Sequence, residues 1–104
     1  MLIHINTGKD IKGTQRMTNY FSGLIGSSLR RFAERITRLE VHVSDENSGK
    51  EGPDDKRCLI EARVRGLRPI AVTHRAETLD QAVVGATLKM KNALETTVEK
   101  ARVF

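Results

Sequence analysis

Apolar and polar positions alternate most clearly from Lys56 to Ala82, KRCLIEARVRGLRPIAVTHRAETLDQA. Cys58, Ile60, Ala62 and Val64 interleave with Arg57, Leu59, Glu61, Arg63 and Arg65. That period of two belongs to an antiparallel strand packed on one face and wet on the other. Gly66 breaks the run, and Ile70 and Val72 resume it after Pro69 as a further strand. Thr78 then reads as an N-cap, with Gln81 three residues on completing a capping box. From there the period changes. Leu79, Ala82, Val83, Ala86, Met90, Ala93, Leu94, Thr97 and Ala101 share one face, which predicts a helix from Leu79 to about Ala101. Gly85 lies beside that stripe and lets the helix approach the sheet closely.

Upstream, Ile3 and Ile5 alternate with His4 and Asn6 in a short strand that stops at Thr7-Gly8. Thr14 can cap a helix running through about Ala33, with Met17, Tyr20, Phe21, Leu24, Ile25, Leu29 and Phe32 on its apolar face. A second strand spans Thr37 to Ser44, with Leu39, Val41 and Val43 inward and Arg38, Glu40 and His42 outward. The order is therefore β-α-β-β-β-α. A right-handed crossover makes the first two strands parallel, and the others are antiparallel. The prediction is an α+β two-layer sandwich, a four-stranded mixed sheet with two helices on one face. It is expected as a single domain over residues 1–104, with a flexible acidic hairpin loop at 46–56.

Charge sharpens this picture. The chain carries 18 Lys and Arg against 13 Asp and Glu, a net +5. Residues 1–35 hold six basic and two acidic groups, and residues 57–76 hold five and one. Residues 36–56 hold three basic against six acidic. Local basic density favours a polyanionic partner. Arg57, Arg63, Arg65 and Arg75 project from the wet face of the hairpin, Arg30, Arg31 and Arg35 close the first helix, and Lys89 and Lys91 lie on the last helix. Such groups can neutralise phosphates without reading sequence, and the expected contacts among them are Arg30, Arg31, Arg35, Arg63, Arg65, Lys89 and Lys91. With four aromatic residues, most placed in the core or at the terminus, base-stacking platforms are not expected. The partner is then structured RNA, bound by backbone and shape.

Other chemistries find little here. His4, His42, His74 and Cys58 include no short-spaced ligand pair, although His4 and His42 become neighbours if the first two strands pair. The acidic residues Asp45, Glu46, Glu51, Asp54 and Asp55 lack the calcium-loop spacing. No nucleophile elbow, phosphate loop or HExxH occurs, so no catalytic residue, cofactor or small-molecule substrate is expected. No apolar run approaches the roughly 18 residues that span a bilayer, and MLIHINTGKD is not a secretory signal. A lone inward Cys58 suits a reducing compartment. The expected location is the cytoplasm, with no membrane partner.

The segments INTGKDIKGTQRM, LRRFAERITRLEVHVSDEN, PDDKRCLIEARVRG and PIAVTHRAETLDQAVVGATLKMKNAL together resemble the ribosome hibernation-promoting and ribosome-associated inhibitor family, also called ribosomal subunit interface or sigma-54 modulation proteins. The resemblance runs from Leu2 to about Lys100. It implies a sandwich similar to double-stranded RNA-binding domains and a non-catalytic role. Such proteins occupy the messenger and transfer RNA channel of the small ribosomal subunit, contact its rRNA and silence translation in stress or stationary phase. Lys89 falls on a basic position of the family's last helix, whereas Glu95, Thr96, Thr97 and Glu99 stand where well-known members are lysine-rich. Ser27 and Ser28 stand near common lysine positions of the first helix, with Arg30 and Arg31 just beyond. The resemblance is to the short form, which implies a monomer off the ribosome with no dimerisation module of its own. A stand-alone binder of structured RNA, or a protein-interaction regulator of transcription, remains open at this point.

Overall fold

A computed structural model of the chain describes residues 1–8, 11–46 and 55–102. The elements are β1 (Leu2–Thr7), α1 (Gln15–Ser28), a short 3-10 turn (Arg30–Phe32), β2 (Ile36–Asp45), β3 (Lys56–Val64), β4 (Ile70–Ala76) and α2 (Leu79–Arg102). The sheet order is β1-β2-β3-β4, with β1 parallel to β2 and the remaining pairs antiparallel. This is the α+β sandwich that the apolar pattern predicts.

Alternation places the core. Leu39, Val41 and Val43 of β2 and Cys58, Ile60, Ala62 and Val64 of β3 are buried beneath the helices. Phe21, Ile25, Leu29 and Phe32 cover one half of that face, and Ala82, Val83, Ala86, Met90 and Leu94 cover the other. Three members of the predicted α2 stripe, Leu79, Ala93 and Thr97, are only half-buried, and Val98 takes a buried place beside Thr97. Thr87 is also buried, its hydroxyl donating to the Val83 carbonyl at 2.7 Å, so its polar group is satisfied within the helix.

α1 ends earlier than its apolar face suggests. Leu29 donates its N–H to the Ile25 carbonyl as the cap, and the chain then tightens into the 3-10 turn. There Phe32 N–H reaches Leu29 and Arg35 N–H reaches Phe32, both at 2.9 Å. The tighter i to i+3 bonding keeps Phe32 in the core while the backbone reverses into β2. Arg30, Arg31 and Arg35 therefore lie beyond α1, in the turn and the entry to β2. Tyr20 also departs from expectation: it is 54 % exposed, off the core face.

β2 and β3 carry a bulge. Ile36 pairs with Val64 and Arg38 with Arg63, leaving Thr37 as the extra residue. Its hydroxyl donates to the Arg63 carbonyl at 3.2 Å and ties the bulge to β3. In the following turn Leu67 N–H bonds the Val64 carbonyl, and Gly66 takes φ 72, a left-handed conformation that favours glycine.

Thr78 caps α2, its hydroxyl accepting the Gln81 N–H at 3.1 Å. Replacing it by Ala should cost about 1 kcal/mol, lowering the midpoint of a thermal melt by roughly 4–8 °C for a domain of this size. The loop expected at 46–56 lies largely outside the described residues. Its described ends join in the ladder, with Glu46 N–H bonding the Asp55 carbonyl at 2.8 Å and Lys56 opening β3.

Candidate nucleic-acid interface

The antiparallel register of β2 and β3 sorts charge between the two ends of the sheet. One end, where β2 finishes and β3 begins, is neutralised. Lys56 lies 2.8 Å from Asp55 and 3.4 Å from Asp45. The Asp55 hydrogen bond, together with the charges of both carboxylates, outweighs desolvation and holds the ammonium above its ordinary range. Arg57 and Arg75 face each other across the β3–β4 ladder, a repulsive pairing on its own. Glu46 relieves it by reaching Arg57 at 3.7 Å and Arg75 at 3.5 Å.

The other end is different. Arg65 N–H bonds the Arg35 carbonyl at 2.8 Å, so these two residues are held side by side where β3 leaves the sheet and the chain enters β2. Arg30 precedes them in the 3-10 turn, and Arg68 follows in the β3–β4 turn. None of Arg30, Arg35, Arg65 and Arg68 has an ion pair among the described residues. Arg38 and Arg63, paired across the ladder by the bulge, add a like-charge pair on the open face. Arg38 is ion-paired with Glu40, and Arg63 lies 3.9 Å from Glu61. Desolvation tends to raise the Glu40 carboxyl, but the Arg38 hydrogen bond and the charges of Arg38 and His4 hold it below the usual range.

The seven expected contact residues thus fall into two groups. Arg30, Arg31, Arg35, Arg63 and Arg65 belong to the arginine end, Arg30 and Arg31 in the 3-10 turn, Arg35 and Arg65 joined through their backbones, and Arg63 on the open face of the sheet. Arg31 is partly committed, 3.4 Å from Glu95 of α2 and stacked 5.0 Å over the Phe32 ring. Lys89 and Lys91 lie apart, on α2. Lys89 donates to the Thr73 carbonyl of edge strand β4 at 2.9 Å, which covers an otherwise open acceptor. Lys91 lines a groove between α1 and α2. Arg38 and Arg68 lie outside the expected contact set. The outward alternation of Arg38 was the available signal, but the bulge that sets it against Arg63 depends on strand pairing.

The remaining chemistry is muted. His4 sits opposite Glu40, its Nδ1 3.2 Å from that carboxylate, and His42 sits opposite Asn6, so the parallel register offsets the two histidines. No cluster of three metal-ligating side chains occurs among the described residues. Cys58 is buried, and burial pushes its thiol up to about 12 against the lowering effect of Arg57. At neutral pH it stays a protonated, inert thiol. A thiol-reactive dye should therefore label it only when denaturant unfolds the chain.

A model of the family described as sigma 54 modulation protein / S30EA ribosomal protein matches residues 5–102. No curated protein matches the sequence. Among solved structures, the chain is similar to the N-terminal domain of Protein Y from Thermus thermophilus. That match has TM-score 0.74 and 18 % identity, covering 93 % of this chain and 99 % of the other. A ribosomal subunit interface protein from Coxiella burnetii matches with TM-score 0.73 and 14 % identity, covering 95 % and 99 %. At these identities the structural likeness speaks for the fold.

Proposed function

The chain belongs to the sigma 54 modulation protein / S30EA ribosomal protein family, and on that premise we propose that it is a non-catalytic, cytoplasmic ribosome-binding protein. It occupies the small-subunit channel that messenger and transfer RNA otherwise fill. There it grips rRNA through its phosphates and silences translation during stress or stationary phase. The observation that carries this reading is the arginine end. Arg30, Arg35 and Arg65 stand there without carboxylate partners among the described residues, while Lys56, Arg57 and Arg75 at the opposite end are neutralised internally.

Guanidinium groups that lack a direct carboxylate partner, as Arg30, Arg35 and Arg65 do among the described residues, repel one another, and a surface of phosphates removes that repulsion while releasing condensed counterions. Arginine forks also match phosphate oxygens two at a time. Such contacts fix register and orientation on a folded RNA without reading its bases. The name carried by the Coxiella burnetii protein, ribosomal subunit interface protein, points the same way.

The test is competition. Labelled transfer RNA bound to purified small subunits should be released as this protein is added, and excess transfer RNA should displace the protein in turn. Both binding at once would rule out occlusion. Equal affinity for an unrelated structured RNA would favour a stand-alone RNA binder, and a salt-insensitive association would favour a protein-interaction regulator.

A further inference from the structure

Tyr20 is not a core residue, and its exposure opens a question that the aromatic count had closed. α1 and α2 lie side by side, joined at one end by the Tyr20 hydroxyl and Asp80 at 3.5 Å and at the other by Arg31 and Glu95. Between these ties runs a groove of about 150 Å³ lined by Leu24, Ser28, Val84, Thr87, Leu88 and Lys91. Tyr20 stands one helical turn before Leu24, as Asp80 does before Val84. Val84 and Leu88 are 40 % and 56 % exposed, so the walls of the groove are apolar and open to solvent.

We propose that this seam receives one unstacked nucleotide of ribosomal RNA, its base on Leu24, Val84 and Leu88 beside Tyr20 and its phosphate on Lys91. The inference rests on the ribosome reading above and names what lies against the helix layer. Three features select RNA over a protein partner. Among the described residues that line the groove Lys91 is the one charged group, and the carboxylates at its two ends, Asp80 and Glu95, are engaged by Tyr20 and Arg31. Arg30 and Arg31 follow Ser28 in the chain, so the cationic end of the groove runs on into the arginine end of the molecule. The third feature is size. A stable protein interface buries roughly 1,200–2,000 Å² in total, far more than an exposed strip of Tyr20, Val84 and Leu88 supplies at its centre. A single planar base needs only an apolar platform and one cation for its phosphate.

Ordering that base requires no rearrangement of the fold. Ser28 lines the groove and brings a hydroxyl able to hydrogen-bond a base edge, while the Thr87 hydroxyl is already used by Val83. Asp80 raises the Tyr20 phenol through its charge and its hydrogen bond, so the hydroxyl keeps its proton and the ring remains tethered at the groove entrance. The apolar contacts and the phosphate contact should also separate by their response to salt. Only the second releases counterions.

The experiment places a photo-crosslinking benzoylphenylalanine at position 88 of the full chain, bound to purified ribosomal particles. Irradiation should join it to rRNA at one dominant nucleotide. Leu88→Ala and Tyr20→Ala should each weaken binding by about tenfold with the salt dependence unchanged. Lys91→Ala should instead make the salt slope shallower by about one. A crosslink confined to ribosomal protein, or a Leu88→Ala affinity within about twofold of the unaltered protein, overturns the inference and leaves the ribosome reading standing. Failure of the unaltered protein to bind ribosomal particles overturns both.

Discussion

Reversing two arginines, Arg30→Glu with Arg65→Glu, should weaken ribosome binding roughly a hundredfold in dilute buffer, on the order of 3 kcal/mol. Both side chains are exposed, and neither has an ion pair among the described residues. The fold therefore loses no ion pair of theirs among the described residues, and the melting temperature should change little. The backbone bond from Arg65 N–H to the Arg35 carbonyl survives the change. The salt slope of binding should become shallower by about two, one for each phosphate contact removed. Arg75→Gln is the matched control. It lies at the neutralised end, where Glu46 keeps Arg57 as a partner, and it should leave ribosome affinity within about twofold. Equal losses from the two variants would mean that net charge, not the arginine end, governs binding.

A second large effect should come from Gly85→Ala, through packing rather than charge. A methyl group built there meets the His74 ring, whose Cγ would lie 2.6 Å away. Turning the ring about its own bond leaves Cγ in place, so relief requires a new side-chain rotamer or a shift of α2 away from β4. Overpacking of this kind costs roughly 1–3 kcal/mol. Ala at a helix-interior position returns about 1 kcal/mol relative to Gly, so the overpacking term wins or nearly cancels according to how far His74 can yield. His74 is half-buried between β4 and α2, with little room to swing, and we expect a net loss of about 2 kcal/mol. Urea denaturation measures it. In a His74→Ala background the same substitution should become neutral or stabilising, which separates the steric cause from any general intolerance of α2.

Much of this architecture is legible in the sequence because its signals are local. The alternation from Cys58 to Val64 fixes β3 and its inward face, and Thr78 marks the start of α2. Gly85 beside an apolar stripe announces the close helix–sheet approach that His74 occupies. The family resemblance adds the expectation of ribosome binding, and the family match over residues 5–102 accords with it. What the sequence hides is set by partners distant along the chain.

Tyr20 shows why. Phe21, Ile25 and Leu29 define the buried centre of the helix face, and Tyr20 lies five residues from Ile25, roughly 140° around the axis. Its apolar ring earned it a place in the predicted core, although its angle puts it at the margin. α2 decides the matter by presenting Asp80 to the phenol and leaving the ring in solvent. The arginine end is hidden in the same manner. Arg35 and Arg65 are thirty positions apart, and only the β2–β3 register brings them together. Lys89 gives the opposite lesson, a cation at a family-like position whose ammonium is engaged by the Thr73 carbonyl.

The central claim is that a cluster of uncompensated arginines holds this protein on ribosomal RNA by its phosphates. Sedimentation with ribosomal particles through sucrose, repeated over a series of salt concentrations, tests it most directly. Five or so phosphate contacts predict co-sedimentation in dilute buffer, with log affinity falling against log salt at a slope of roughly −4. Protein left at the top of the gradient in dilute buffer, or carried down equally at every salt concentration, would contradict it.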